Sequence, residues 1–137
     1  MIYAVIDTNV LVSAIITKNT QSPTFRVMGA VLERQIVPLY DNDIISEYTD
    51  VLHREKFGFS DNQINYYLDA MKREGLPAQS VTSTEYFPDP KDIVFYEVAL
   101  SKEDAFLVTG NKKHFPKKPI VVTPAEMVEI LKREGIL

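Results

Sequence analysis

The chain has 137 residues, 45% hydrophobic and 25% charged, which suits a folded domain with a sizeable core and excludes disordered and fibrous classes. Fifteen Lys and Arg against nineteen Asp and Glu give a formal charge of −4, so the surface as a whole does not attract a polyanion and nucleic-acid contact has to be local or assisted by metal. Without cysteine there is neither a disulfide framework nor a thiolate zinc site, which permits an intracellular setting, and two histidines argue against a zinc hydrolase.

Residues 2–6 read as a buried strand that runs into Asp7, and Val10 to Ile16 as the apolar body of the helix that follows. Ser22 as N-cap and Pro23 at the first helical position open a second helix to about Gln35. Ile36 to Tyr40 is a second strand. Asp41-Asn42-Asp43 offers caps for a third helix with Ile44, Tyr48, Val51 and Leu52 at helical spacing, and Lys56-Phe57-Gly58 stops it. Ser60 and Gln63 form a capping-box pattern for a fourth helix to Gly75, after which Val81 and its polar neighbours read as a weak edge strand. The breaker-rich loop Phe87 to Lys91 leads to a helix begun by Asp92. Ala105 to Thr109 and Ile120 to Val122 are strands, and Thr123-Pro124-Ala125-Glu126 caps the terminal helix, which stops at Gly135.

Strands alternating with helices imply a parallel sheet covered on both faces, in one domain over 1–137. The N-terminal apolar stretch is broken by Asp7, Thr8 and Asn9, has no basic flank and falls short of the ~18 apolar residues of a span. It is expected to be neither signal peptide nor membrane anchor, which makes a cytoplasmic location the default.

In an open α/β sheet, ligands bind in the crevice beyond the carboxyl ends of the strands. Asp7 follows the first strand, Glu47 sits early in the helix after the second, and Asp92 begins the helix before the strand Ala105 to Thr109, so all three belong near one edge. Three carboxylates there repel one another, and a hard divalent cation relieves that repulsion while leaving room for substrate phosphate. Such an ion activates water and stabilises a leaving oxygen, so phosphodiester hydrolysis needs no cysteine, serine or histidine nucleophile. Each position also has an ordinary structural reading: Asp7 as a turn residue or cap, Glu47 as a solvated helix residue, Asp92 as an N-cap, Asp89 as an Asp-Pro turn former, Glu97 as a helix-flank residue.

The combination Asp7-Thr8-Asn9-Val10-Leu11-Val12-Ser13, then Glu47-Tyr48 with Val51-Leu52 and Arg54, then Asp89-Pro90-Lys91-Asp92, then Leu107-Val108-Thr109-Gly110-Asn111, resembles the ordered motifs of the PIN-domain family, most closely the VapC-like toxins of toxin-antitoxin systems. The resemblance runs through nearly the whole chain. It implies a three-layer α/β/α sandwich with a central, mainly parallel sheet and a Mg2+- or Mn2+-dependent endoribonuclease leaving 5′-phosphate and 3′-hydroxyl ends. Carried over by position, Asp7, Glu47 and Asp92 match the acidic metal-binding triad; further candidate ligands beside the resemblance are Asn111 at the fourth motif, Asp89, and Glu97, one turn past Asp92. Thr8, Asn9 and Thr109 match positioning residues. The resemblance also implies a homodimer and a cognate antitoxin. Many members have Asp where this chain has Asn111, which contributes an amide oxygen but no charge. One well-held ion is therefore expected, with a second recruited only with substrate.

Lys112, Lys113, His114, Lys117 and Lys118 form a basic cluster directly after Asn111, readable as a solvated loop or as a phosphate-positioning patch for RNA. His114 is not assigned as a general base. Tyr40, Tyr48, Tyr66, Tyr67, Leu68 and Met71 offer aromatic and apolar surface for bases or a partner, with core packing the alternative for Tyr67, Leu68 and Met71. Two other functions compete: a catalytically weak RNA- or partner-binding module in which Asn111 has cost the activity, and a phosphoacceptor domain using Asp7 as nucleophile. Receiver-like domains place paired acids after the first strand, whereas Thr8 and Asn9 follow Asp7 here.

Overall fold

Apolar residues run without alternation through β1 (Ile2–Ile6) because both faces are covered: Ala4, Val5 and Ile6 are fully buried in the computed structural model, which describes residues 1–137. β2 (Ile36–Tyr40), β3 (Leu76–Pro77), β4 (Phe106–Val108) and β5 (Val121–Val122) join β1 in an all-parallel sheet of order β3-β2-β1-β4-β5. The chain builds outward from β1 to β3 and then returns to lay β4 on the opposite side of β1. Strand order thus reverses between β1 and β4, and such a switch point is where open α/β sheets bind ligands. The register Ile6 to Val108 brings the next residues, Asp7 and Thr109, side by side there.

Six helices cover the sheet: α1 (Thr8–Ile16), α2 (Pro23–Leu32), α3 (Asn42–Leu52), α4 (Asp61–Glu74), α5 (Ile93–Ala99) and α6 (Pro124–Arg133). α5 packs across β1, β2 and β4, and α2 packs on β2 and against α4 and α6, giving a three-layer α/β/α sandwich around a single cluster of 34 buried hydrophobic residues. The capping boxes at Ser60/Gln63 and Thr123/Glu126 are both complete, and Asp41 caps α3 by accepting from the Ile44 N–H at 2.9 Å. No helix is long and apolar enough to cross a membrane.

The structure differs from the sequence expectations at several places. α1 starts at Thr8, not Val10, because the Asp7 carboxylate itself caps it. Ser22 precedes α2 but makes no cap bond, its hydroxyl lying 3.0 Å from Thr24 Oγ1 instead; α2 stops at Leu32, since Arg34 takes a left-handed φ of 62°. The third strand on the β2 side is Leu76–Pro77 rather than a segment around Val81. Gly75 explains it: a Cβ there would collide with the carbonyl oxygens of Met71 and Pro38, so only glycine lets the chain pass from α4 directly alongside β2. Val81 lies outside the sheet and donates its N–H to the Glu97 carbonyl at 3.0 Å. The two strands after α5 are shorter than expected, with Ala105, Thr109 and Ile120 falling outside them.

Candidate active site at the acidic edge

Asp7 sits at the switch point as the hub of a hydrogen-bonded network. Its backbone N–H continues the sheet by donating to Val108 O at 2.9 Å, which fixes the residue beyond the end of β1. Oδ1 accepts from the Thr8 N–H at 2.8 Å, while Oδ2 accepts from the Thr109 hydroxyl at 2.8 Å and from the Asn9 amide at 3.3 Å. The Thr109 hydroxyl in turn accepts from the Asn111 N–H at 3.0 Å, and the Asn9 side-chain oxygen accepts from the Gly110 N–H at 3.0 Å. Thr8, Asn9 and Thr109 thus tie the ends of β1 and β4 together around one carboxylate. Gly110 suits this closeness, because a Cβ there would stand 3.3 Å from Asn9 Oδ1.

Glu47 reaches the same edge from α3, and its Oε2 accepts a hydrogen bond from the buried Thr8 hydroxyl. Beneath it Tyr48 is fully buried and donates its hydroxyl to Ile6 O at 2.5 Å, so it props the end of β1 rather than offering an aromatic surface. Burial raises the Tyr48 phenol well above its ordinary range, with Asp7, Glu47 and Asp41 adding to the rise.

Asp92 does not cap α5, contrary to expectation: it closes a 3-10 turn, Pro90–Asp92, whose start is capped by Asp89 accepting from Lys91 N at 3.0 Å. That leaves Asp92 Oδ2 shielded from solvent with no hydrogen bond. His114 Nδ1 lies 3.3 Å away without forming a hydrogen bond to it. His114 Nε2 lies 2.9 Å from the Asn111 amide nitrogen, so the imidazole bridges the third and fourth motifs, a link invisible in the sequence beyond the three-residue spacing of Asn111 and His114.

Burial pushes the Asp7 carboxyl up to about 6; Asp92 and Glu47 add to the rise, and the bonds from Thr109 and Thr8 oppose it. Burial also raises Asp92, aided by Asp89 and Glu47 and opposed by His114. The charges of Glu47 and Asp92 thus disfavour ionisation of Asp7, and that of Glu47 disfavours ionisation of Asp92.

A family model for the PIN domain matches residues 3–113. The chain belongs to the PIN-domain family. The match spans Asp7, Glu47, Asp92 and Asn111, and it places the chain in a nuclease-type fold whose members typically use divalent metals. No curated protein matches the chain. In this PIN domain the donor set fits a hard cation, being carboxylate oxygens that include Asp7, whose proton affinity is raised by the charges of Asp92 and Glu47, and an Asp92 Oδ2 without a hydrogen bond. As they stand, no three acidic or histidine side chains close around one point, Glu47 being turned to Thr8.

Glu97 and Asp89 stand apart from this network. Glu97 Oε2 accepts from the Ser83 N–H at 2.6 Å and tethers the segment before α5, while Asp89 is exposed and engaged as a cap. On the α1 side the PIN domain's edge opens onto an apolar trough of about 410 Å³ beside Thr8 and Asn9, lined by Val12, Ile16, Val51 and Phe57. Lys112 and Lys113 lie on the 3-10 turn Lys112–His114 immediately past Asn111; Lys112 is paired with Glu126 at 3.1 Å.

Proposed function

We propose that the chain is a metal-dependent endoribonuclease in which Asp7, Glu47 and Asp92 would hold a magnesium or manganese ion. The observation that carries this reading is a solvent-shielded Asp92 Oδ2 that makes no hydrogen bond, together with an Asp7 whose proton affinity is raised by burial and by the charges of Asp92 and Glu47. When bound, the ion supplies neutralisation of phosphodiester charge and acidification of water. Thr109 and the Thr8 N–H fix the Asp7 carboxylate so that it is presented rather than free to rotate. The Thr8 hydroxyl orients Glu47, and His114 stands between Asp92 and the Asn111 amide. Exposed Asn9, anchored by the Gly110 N–H, and the amide of Asn111 would contact substrate phosphate.

Asn111 brings no charge, which favours one firmly held ion and a second recruited with RNA. Two equally tight sites in a calorimetric titration without RNA would contradict this. The same residue favours the competing reading, a binding module without turnover. Incubating mixed RNA with the protein in magnesium or manganese separates the two: cleavage that Asp7→Asn abolishes supports the enzyme, and binding without turnover in either metal supports the module.

The narrower role, a cytoplasmic toxin acting as a homodimer and restrained by a cognate antitoxin, is supported by the likeness of the four motifs to VapC-like toxins. Growth arrest on expression, relieved by Asp7→Asn, is its expected outcome; unimpaired growth contradicts it.

A further inference from the structure

Between Asn111 and Val121 the local charge reverses: Lys112, Lys113, His114, Lys117 and Lys118 are exposed and no acid interrupts them, in a chain of net −4. The loop folds around a groove of about 300 Å³ whose floor is Phe115, Pro116 and Val121 and whose rim is the four lysines. Phe115, its ring meeting Phe87 edge-on at 6.3 Å, and Val121 are almost fully buried, and Pro116 is the half-buried part of this apolar floor. Two rim ammoniums are held in place, Lys112 by Glu126 at 3.1 Å and Lys118 by Glu85 at 3.2 Å, while Lys113 and Lys117 have no ion partner.

One turn of chain joins the groove to the acidic edge: His114 lies 3.3 Å from Asp92 and 2.9 Å from the Asn111 amide, while its neighbours Lys112 and Lys113 line the groove. We infer that this groove is the binding track for the RNA chain flanking the scissile phosphate, with an unpaired base against the apolar floor and the adjoining phosphates on Lys113 and Lys117. This rests on the nuclease reading. A rim of ammoniums over an apolar floor matches a strand that alternates phosphates with flat apolar faces, and a base already paired in a duplex has no face to offer. Because the phosphate contacts carry no sequence information, the track sets affinity and polarity of threading rather than target choice.

The test is fluorescence anisotropy of a short labelled single-stranded RNA on the full chain in EDTA, over a series of salt concentrations. The double variant Lys113→Ala, Lys117→Ala is expected to bind about tenfold or more weakly, with the log–log salt slope reduced by about 1.4 for two lost contacts to a single strand. Lys113→Arg with Lys117→Arg is expected to restore both. An unchanged affinity and slope would overturn the proposal. So would a duplex of the same sequence bound equally tightly, or an acidic peptide of equal charge bound as tightly and with the same dependence on these lysines, which would make the groove a protein-docking surface. Cleavage by the wild type in magnesium or manganese is scored separately: no cleavage defeats the hydrolase reading, while the EDTA result decides the groove.

Discussion

On one side of the turn Lys112–His114 Asp7 is only 7% exposed and fixed by bonds from the ends of two chain segments, at Thr8 and Thr109; on the other, four lysines are exposed, two of them ion-paired at the surface and two, Lys113 and Lys117, without an ion partner. The acidic side is preorganised and electrostatically tense, because burial and mutual repulsion both disfavour its charged form. The basic side is relaxed, since exposed lysines lose little hydration and little of their freedom. The difference teaches that one loop can join two functions with opposite physical demands. A chemical centre needs atoms held to fractions of an ångström, and a polyanion track needs only charge density that can adjust to the strand.

The largest expected effect breaks the acidic side outright. Asp7→Asn is expected to reduce RNA cleavage by about 10³-fold, roughly 4 kcal/mol of barrier, with the fold retained by circular dichroism. Next is the tension itself. A carboxyl raised from 3.8 to about 6 in the folded state binds its proton more tightly there than in the unfolded chain, so stability in EDTA is greatest below about pH 4 for this group and falls as pH rises through 6. The loss amounts to about 3 kcal/mol, read from urea unfolding across that window. Asp7→Asn should flatten the slope, and Lys113→Ala with Lys117→Ala should leave it.

A smaller effect sharpens the role of the wiring. Thr109→Val keeps the shape but removes the hydroxyl that donates to Asp7 and accepts from Asn111 N–H; it is expected to cost about 1–3 kcal/mol of stability at neutral pH by chemical denaturation. The smallest test lies on the basic side. Glu126→Gln keeps an acceptor for the Thr123 N–H but releases Lys112, so single-stranded RNA affinity in EDTA should rise only about twofold, as befits an exposed ion pair.

Local signals made much of this legible. The apolar run before Asp7, the Ser60/Gln63 and Thr123/Glu126 boxes and the alternation of elements were sufficient for the parallel three-layer fold, and the motif order led to the PIN-domain family. What escaped depends on contacts between distant residues. Nothing local distinguishes Asp89 from Asp92 as a cap, yet the turn at Pro90 gives the cap to Asp89 and leaves Asp92 Oδ2 unbonded. Val81 resembles an edge strand, but Gly75 lets Leu76–Pro77 reach β2 first. Glu97 has the spacing of a possible ligand and is tied instead to Ser83, 14 residues away; Tyr48 has the look of a surface aromatic and is buried under β1. His114 gains its place beside Asp92 only from the packing of the loop after β4 onto the end of α5's preceding turn.

The central claim is that the acidic edge holds a divalent cation. Crystals of the protein grown with manganese, with data collected at the manganese absorption edge, test it most directly. The account predicts an anomalous peak in contact with carboxylate oxygens of both Asp7 and Asp92. A structure at saturating manganese with no ion touching both residues would contradict it.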